Sequence, residues 1–158
     1  MIVARAATYP LMRGGALVAC VLLAACGAPA SNGNGSAPQA GRAPGASAPL
    51  AERWEYRVVT IGVAERIADA CYGQGISMAP SPWTGAVNRA TEELAAGGAD
   101  RAALNAVYTA HDFNNSSAQA EAYLAARGAV PGQPETLCPV GEAEIAQGSD
   151  VGQLLQKL

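Results

Sequence analysis

From Gly27 to Pro49 the chain carries no large apolar side chain. Gly, Ala, Pro, Ser, Asn and Gln fill the stretch, and Arg42 is its sole charge. A segment with nothing to bury cannot offset the entropy of ordering itself, so it is expected to stay disordered. Pro29, Pro38, Pro44 and Pro49 recur without a period, and no Pro-x-x-Pro flanked by a basic residue occurs among them. The stretch therefore reads as a spacer rather than a docking motif, with ends roughly 25–30 Å apart as a random coil. It divides the chain into an N-terminal piece (residues 1–25), a tether (26–49) and one folding unit (50–158).

The N-terminal piece has the pattern of a secretory signal. Arg5 and Arg13 are its only charges, and Gly14 to Ala25 is an unbroken run of small or apolar residues. That run is too short to span a bilayer, which takes about 20 apolar residues. Met12-Arg13 would open a compact signal by itself, so Met12 is an alternative start to Met1. Leu23-Ala24-Ala25-Cys26-Gly27 resembles the lipobox of bacterial lipoproteins. The resemblance implies cleavage before Cys26, acylation of its sulfur with diacylglycerol and frequently a further acyl chain, often palmitate, on the new amine. Two or more acyl chains give stable anchorage where one gives only marginal binding. The mature protein is thus expected to be anchored to the membrane through Cys26, not to span it. Gly27 lacks the aspartate that favours inner-membrane retention in enterobacterial-type sorting, which points to the periplasmic face of the outer membrane.

Cys20 is lost with the signal and Cys26 is lipidated, so Cys71 and Cys138 are the only thiols left for the folded unit. Large apolar residues are sparse and alanine is abundant there, and small domains with thin cores recruit staples. Exported thiols meet an oxidising compartment. A Cys71–Cys138 disulfide is the expected outcome, worth roughly 4 kcal/mol in the chain-entropy model. Two free thiols or a metal-binding pair are the alternatives, and neither cysteine lies in a C-x-x-C motif. The chain holds 13 acidic against 10 basic residues, and the only lysine is Lys157. Without a basic footprint, nucleic acid is not an expected partner.

Helical punctuation dominates residues 50–158. Ala51 to about Tyr72 reads as a first helix with Trp54, Val58, Ile61, Ala64, Ala68 and Cys71 on one face, although the β-branched Val58-Val59-Thr60-Ile61 run competes as a strand. Gly73 and Gly75 end it. Ser81-Pro82 has the form of an N-cap followed by an N1 proline, opening a helix with Trp83, Val87, Ala90 and Leu94 that stops at Gly97-Gly98. Asp100 is placed to cap a third helix carrying Leu104, Val107, Tyr108 and His111. Asn114-Asn115 is expected to break the chain, and Ser116 and Gln119 have capping-box spacing for a fourth helix to Arg127, closed by Gly128. Pro134-Glu135 starts a last helical region with Cys138, Val140 and Ile145, and Pro139 lies near its first turn, where proline is tolerated. After Gly148, Ser149 caps a short terminal helix bearing Val151, Leu154 and Leu155. No segment shows clear two-residue alternation and no internal repeat is present. The expected fold class is all-α, a small bundle of about five short helices stapled by one disulfide.

Residues able to carry chemistry are few. His111 is the only histidine; Asp112 and Glu121 are the nearest candidate partners, and their spacing matches no metal site. Glu142 and Glu144 are two apart, so on a helix they do not face each other, and a solvated helix surface is the expectation for both. Ser116 and Ser117 lack a nucleophile-elbow context. No Walker-type or dinucleotide-type glycine loop occurs, so no cofactor is expected. Trp54 and Trp83 are expected in the core, with a partner-facing aromatic patch as the alternative.

Three C-terminal segments, Ala122–Gly128, Pro134–Cys138 and Gly141–Leu155, together with Ile67-Ala68-Asp69-Ala70-Cys71, resemble a family of small exported alphaproteobacterial proteins of unknown function. The resemblance spans roughly residues 60–158. It implies a two-cysteine helical fold and carries over no catalytic residue. The lipobox and long tether depart from the simple signal peptides of that family. The function expected from all this is a non-catalytic, membrane-anchored envelope lipoprotein that binds a protein or the cell wall. A carboxylate-dependent enzyme on envelope polymers and a small-ligand or metal-binding protein are the alternatives.

Overall fold

The computed structural model describes residues 42–158. The signal peptide, Cys26 and the tether as far as residue 41 lie outside the described residues. Helix α1 (Leu50–Cys71) follows Pro49, whose carbonyl accepts from the Arg53 N–H at 3.1 Å. The β-branched run Val58 to Ile61 is helical, because Val58 and Ile61 fall on the same side as Trp54, Ala64, Ile67 and Cys71, all buried. Tertiary burial outweighs the strand propensity of four residues. Against α1 pack α2 (Ala86–Ala96), α3 (Arg101–Ala110), α4 (Phe113–Ala125) and α5 (Leu137–Gln147). The core thus runs along α1, with Leu104, Ala120, Leu124, Val140 and Val151 supplied by its neighbours.

The all-α, five-helix fold class holds, with one addition. Strand β1 (Ile76–Met78) pairs antiparallel with β2 (Leu155–Lys157), Ser77 opposite Gln156. The terminal segment is therefore a 3₁₀ turn over Gly152–Leu154 running into a strand, not a terminal helix. Ser149 is not at its cap position, which Val151 occupies, although the Ser149 hydroxyl does accept from the Gly152 N–H at 2.9 Å. Val151, Leu154 and Leu155 are buried, also as expected, but through a different element.

Two helix starts differ from the sequence reading. Helix α2 begins at Ala86, with Gly85 (φ +78°) before it, and Ser81 caps only a bend by accepting from the Trp83 N–H at 3.2 Å. A positive φ suits glycine and stops the helix from extending back to Pro82. Trp83 is consequently only half-buried and outside the core. Helix α4 begins at Phe113, because the Asp112 carboxylate accepts from the Asn114 N–H at 3.0 Å. A carboxylate is a stronger acceptor than the Ser116 hydroxyl, so Asn114 and Asn115 form the first turn rather than a break. The remaining boundaries agree with the punctuation: the Asp100 side chain accepts from the Ala103 N–H at 2.8 Å, and Gly128 and Gly148 are left-handed at φ +92° and +60°.

Cys71 and Cys138 are bonded, with Cα atoms 5.5 Å apart. Both are buried, and the bond joins the C-terminal end of α1 to the first turn of α5.

Candidate functional site

A cleft of about 720 Å³ lies beside the disulfide. Its floor is apolar, with Ala70, Leu124, Ala125, Ala129 and Leu137, and its rim holds Arg66, Asp69 and Glu121. The volume falls in the range of small-molecule and peptide sites. Ala70 and Leu137 each adjoin a bonded cysteine, so the disulfide ties two walls of the cleft together.

The outer wall is a braced turn. The Gln133 N–H donates to the Val130 carbonyl at 3.0 Å, with Pro131 and Gly132 (φ +77°) between them, the arrangement of a type II turn. The Thr136 hydroxyl accepts from the Val130 N–H at 2.9 Å and donates to the Gln133 carbonyl at 2.7 Å. This wall was missed in the sequence, where the Pro131-Gly132 dipeptide is the signal for it. Arg66 and Asp69 were missed too, for on α1 they look like ordinary solvated charges.

On the rim, the Arg66 guanidinium turns to α4, donating to the Ser117 hydroxyl at 3.0 Å and lying 3.8 Å from Glu121. Asp69, one turn further along α1, has no ion-pair partner among the described residues. The rim therefore carries an excess of negative charge.

The residues singled out by sequence do not converge here. His111 sits at the junction of α3 and α4, where its Nε2 is 2.6 Å from the Ser116 hydroxyl and its ring stands edge-on to Trp54 and Phe113 at 5.0 and 4.9 Å. Asp112 is engaged as the α4 cap and Glu121 lies on the cleft rim. Ser117 is held by Arg66, whereas Ser116 is in the Ser–His contact that a nucleophile and base would make; that serine is buried, it lies outside the cleft, and among the described residues no carboxylate bonds the other ring nitrogen to complete a triad. Among the described residues no three His, Cys, Asp or Glu side chains are grouped to hold a metal ion. Trp54 is wholly buried and donates to the Thr91 hydroxyl at 2.9 Å, while Tyr108 and Phe113 beside it are 48% and 43% exposed. The aromatic patch is thus made by those two residues and not by the tryptophans.

The two glutamates separate. Glu142 is exposed and pairs with Lys157 at 3.3 Å. Glu144 is not on a solvated surface, as the sequence reading had it, but buried, accepting from Arg127 and Ser149. The Arg127 guanidinium lies 3.4 Å over the Tyr123 ring. Burial and then the Glu144 charge hold the Tyr123 hydroxyl well above the usual tyrosine range. Both oxygens of Glu144 are occupied, which suits a structural clamp better than an acid or base.

Residues 51–156 match a protein-family model described as "Family of unknown function" (DUF5333). No curated protein and no solved structure matches the chain. Three of the segments that carry the sequence resemblance line the cleft, supplying Asp69 and Ala70, Leu124 and Ala125, and Pro134 and Leu137.

Proposed function

We propose, for a chain that belongs to the DUF5333 family of unknown function, that it is a lipid-anchored envelope protein whose helical domain is a non-catalytic binding module. The observation that carries this reading is the cleft: an apolar floor between a disulfide-tied helix pair and a braced turn, with charges confined to the rim. Such a site is preformed, which lowers the cost of binding. It contains no paired nucleophile and base. The lipobox pattern at Leu23 to Cys26 and the tether over 26–49 support anchorage, with the periplasmic face of the outer membrane as the location. Among the described residues no helix is long and apolar enough to cross a membrane. Anchorage also raises the local concentration of the domain near other envelope components. The reading of the chain as an alphaproteobacterial exported protein rests on the resemblance carried by Ile67–Cys71, Ala122–Gly128, Pro134–Cys138 and Gly141–Leu155.

A photo-crosslinking side chain in place of the exposed Ala125, in the intact lipoprotein in living cells, tests the proposal. The expected result is a discrete cross-linked envelope product that is lost or greatly reduced in Cys26→Ser, which also fails to incorporate a fatty-acid analogue. No product from position 125, with lipid labelling intact, would reject the binding role. Equal labelling of Cys26→Ser and wild type would reject the anchor.

A further inference from the structure

The rim chemistry narrows what the cleft takes. We infer that it binds a short basic segment of another envelope protein, with small apolar side chains on the floor and a lysine or arginine on Asp69 and Glu121. The inference rests on the reading of the cleft as a binding site.

Three observations lead to it. Arg66 lies one helical turn from Asp69, where a guanidinium would ordinarily find it, yet it is turned away onto Ser117 and Glu121. Asp69 is left exposed with no ion-pair partner among the described residues, so the rim presents two carboxylates against one committed cation. An anionic ligand would meet repulsion there, and a cationic one would be complementary. Second, the wall does not offer a free strand edge. The Val130 N–H is taken by Thr136, the Gln133 N–H by Val130, and the Ala129 N–H by the Leu124 carbonyl at 3.1 Å. With these N–H groups taken, the wall favours recognition through side chains over strand pairing. Third, three alanines from different segments, Ala70 on α1, Ala125 on α4 and Ala129 beyond α4, keep the floor low, so a ligand segment with small side chains can lay its backbone close to it.

The test uses the mature lipoprotein in detergent micelles and three capped peptides of alanines around one variable residue: lysine, acetyl-lysine and glutamate. Binding is followed by chemical shifts of the Leu124, Ala129 and Leu137 methyls. The lysine peptide is expected to bind most tightly and to weaken with added salt. Asp69→Asn and Glu121→Gln are each expected to weaken it about two- to fivefold, the scale of an exposed ion pair. Ala125→Arg, at an exposed position, is expected to abolish it with the helical spectrum unchanged. Equal behaviour of the three peptides, or binding that survives Ala125→Arg, overturns the inference. So does displacement by soluble cell-wall fragments with no effect of the lysine peptide, or self-association that covers the cleft. A cross-link from position 125 alongside indifference to peptide charge overturns the basic segment while leaving the binding module standing.

Discussion

Glu144 shows how one side chain can organise the C-terminal end of this domain. It receives Arg127 from beyond α4 and Ser149 from beyond α5, and Ser149 in turn accepts from Gly152. Gly152 passes so close that a Cβ there would stand 2.0 Å from the Glu144 carbonyl oxygen. Glu144 is buried but Arg127 is exposed, so removing the carboxylate strands no buried charge; it leaves the Ser149 hydroxyl and the Arg127 guanidinium without their acceptor, typically at about 1–3 kcal/mol. Glu144→Ala should therefore cost about that much in urea unfolding, while Glu142→Ala, on the solvated side of the same helix, should stay within about 0.5 kcal/mol. Equal effects would contradict the clamp. The sequence tells the two acids apart only as lying on different faces. It does not say which face is buried, because the partner that decides it, Arg127, is 17 residues away. A second residue-scale expectation concerns Tyr56, whose hydroxyl donates to Asp150 at 2.5 Å. Burial first, then Asp150, pushes its pKa up to about 12. Above the ordinary tyrosine value of about 10 the unfolded chain loses this proton while the folded one keeps it. Stability must then fall as pH rises from about 10 to 12. Tyr56→Phe should shallow that decline in a pH series of denaturation midpoints; an unchanged slope would count against the bond.

At the scale of elements, what was legible depended on whether the deciding interaction was local. Asp100, Gly128 and Gly148 act within their own turn: α3 begins and α5 ends where the sequence puts them, and α4 ends two residues before the expected Arg127, with the left-handed Gly128 closing the turn that follows. The α1 face was readable because Trp54 to Cys71 keep one period over a long helix. The starts of α2 and α4 were not: at α4 Asp112 competes with Ser116 four residues on, and at α2 the left-handed Gly85 sets the start after Ser81 has capped only a bend. At α4 the competition has a consequence: with Asp112 as cap, Phe113 enters the first turn and reaches Trp54 and His111, and Ser116 is released to bond the histidine. Asp112→Ala should cost about 1 kcal/mol and fray residues 113–115 in amide exchange. Ser116→Ala should leave the helix start in place and disturb the His111 ring resonances instead. If Ser116→Ala frayed the start and Asp112→Ala did not, the capping-box reading would be reinstated. Strands β1 and β2 escaped sequence reading for a different reason. Each is three residues long, too short for alternation to show, and they pair the middle of the chain with its end.

At the scale of the whole molecule, that strand pair and the disulfide together hold the domain closed. The bond spans 67 residues, which include α2, α3 and α4 entirely. A loop of that size constrains the unfolded chain by about 4 kcal/mol in the chain-entropy model. The native side of the balance is local to the cleft, since Ala70 and Leu137 are walls and each neighbours a bonded cysteine. Reducing or replacing the cysteines therefore acts twice: it frees the unfolded ensemble, and it releases α1 from α5 where the two form the cleft. The helices themselves do not depend on the bond, because Asp100 and Asp112 cap two of them and Gly128 and Gly148 terminate two. Cys71→Ser/Cys138→Ser should accordingly lose a few kcal/mol in chemical unfolding, keep its far-ultraviolet helical signature, and show broadened Leu124 and Leu137 methyl signals. The contrast with Glu144→Ala makes the expectation specific, because that change destabilises the domain at the opposite end of α5 and should leave the cleft methyls sharp. A double serine variant with wild-type stability would remove the staple from the account, and one with sharp cleft signals would separate the bond from the shape of the site.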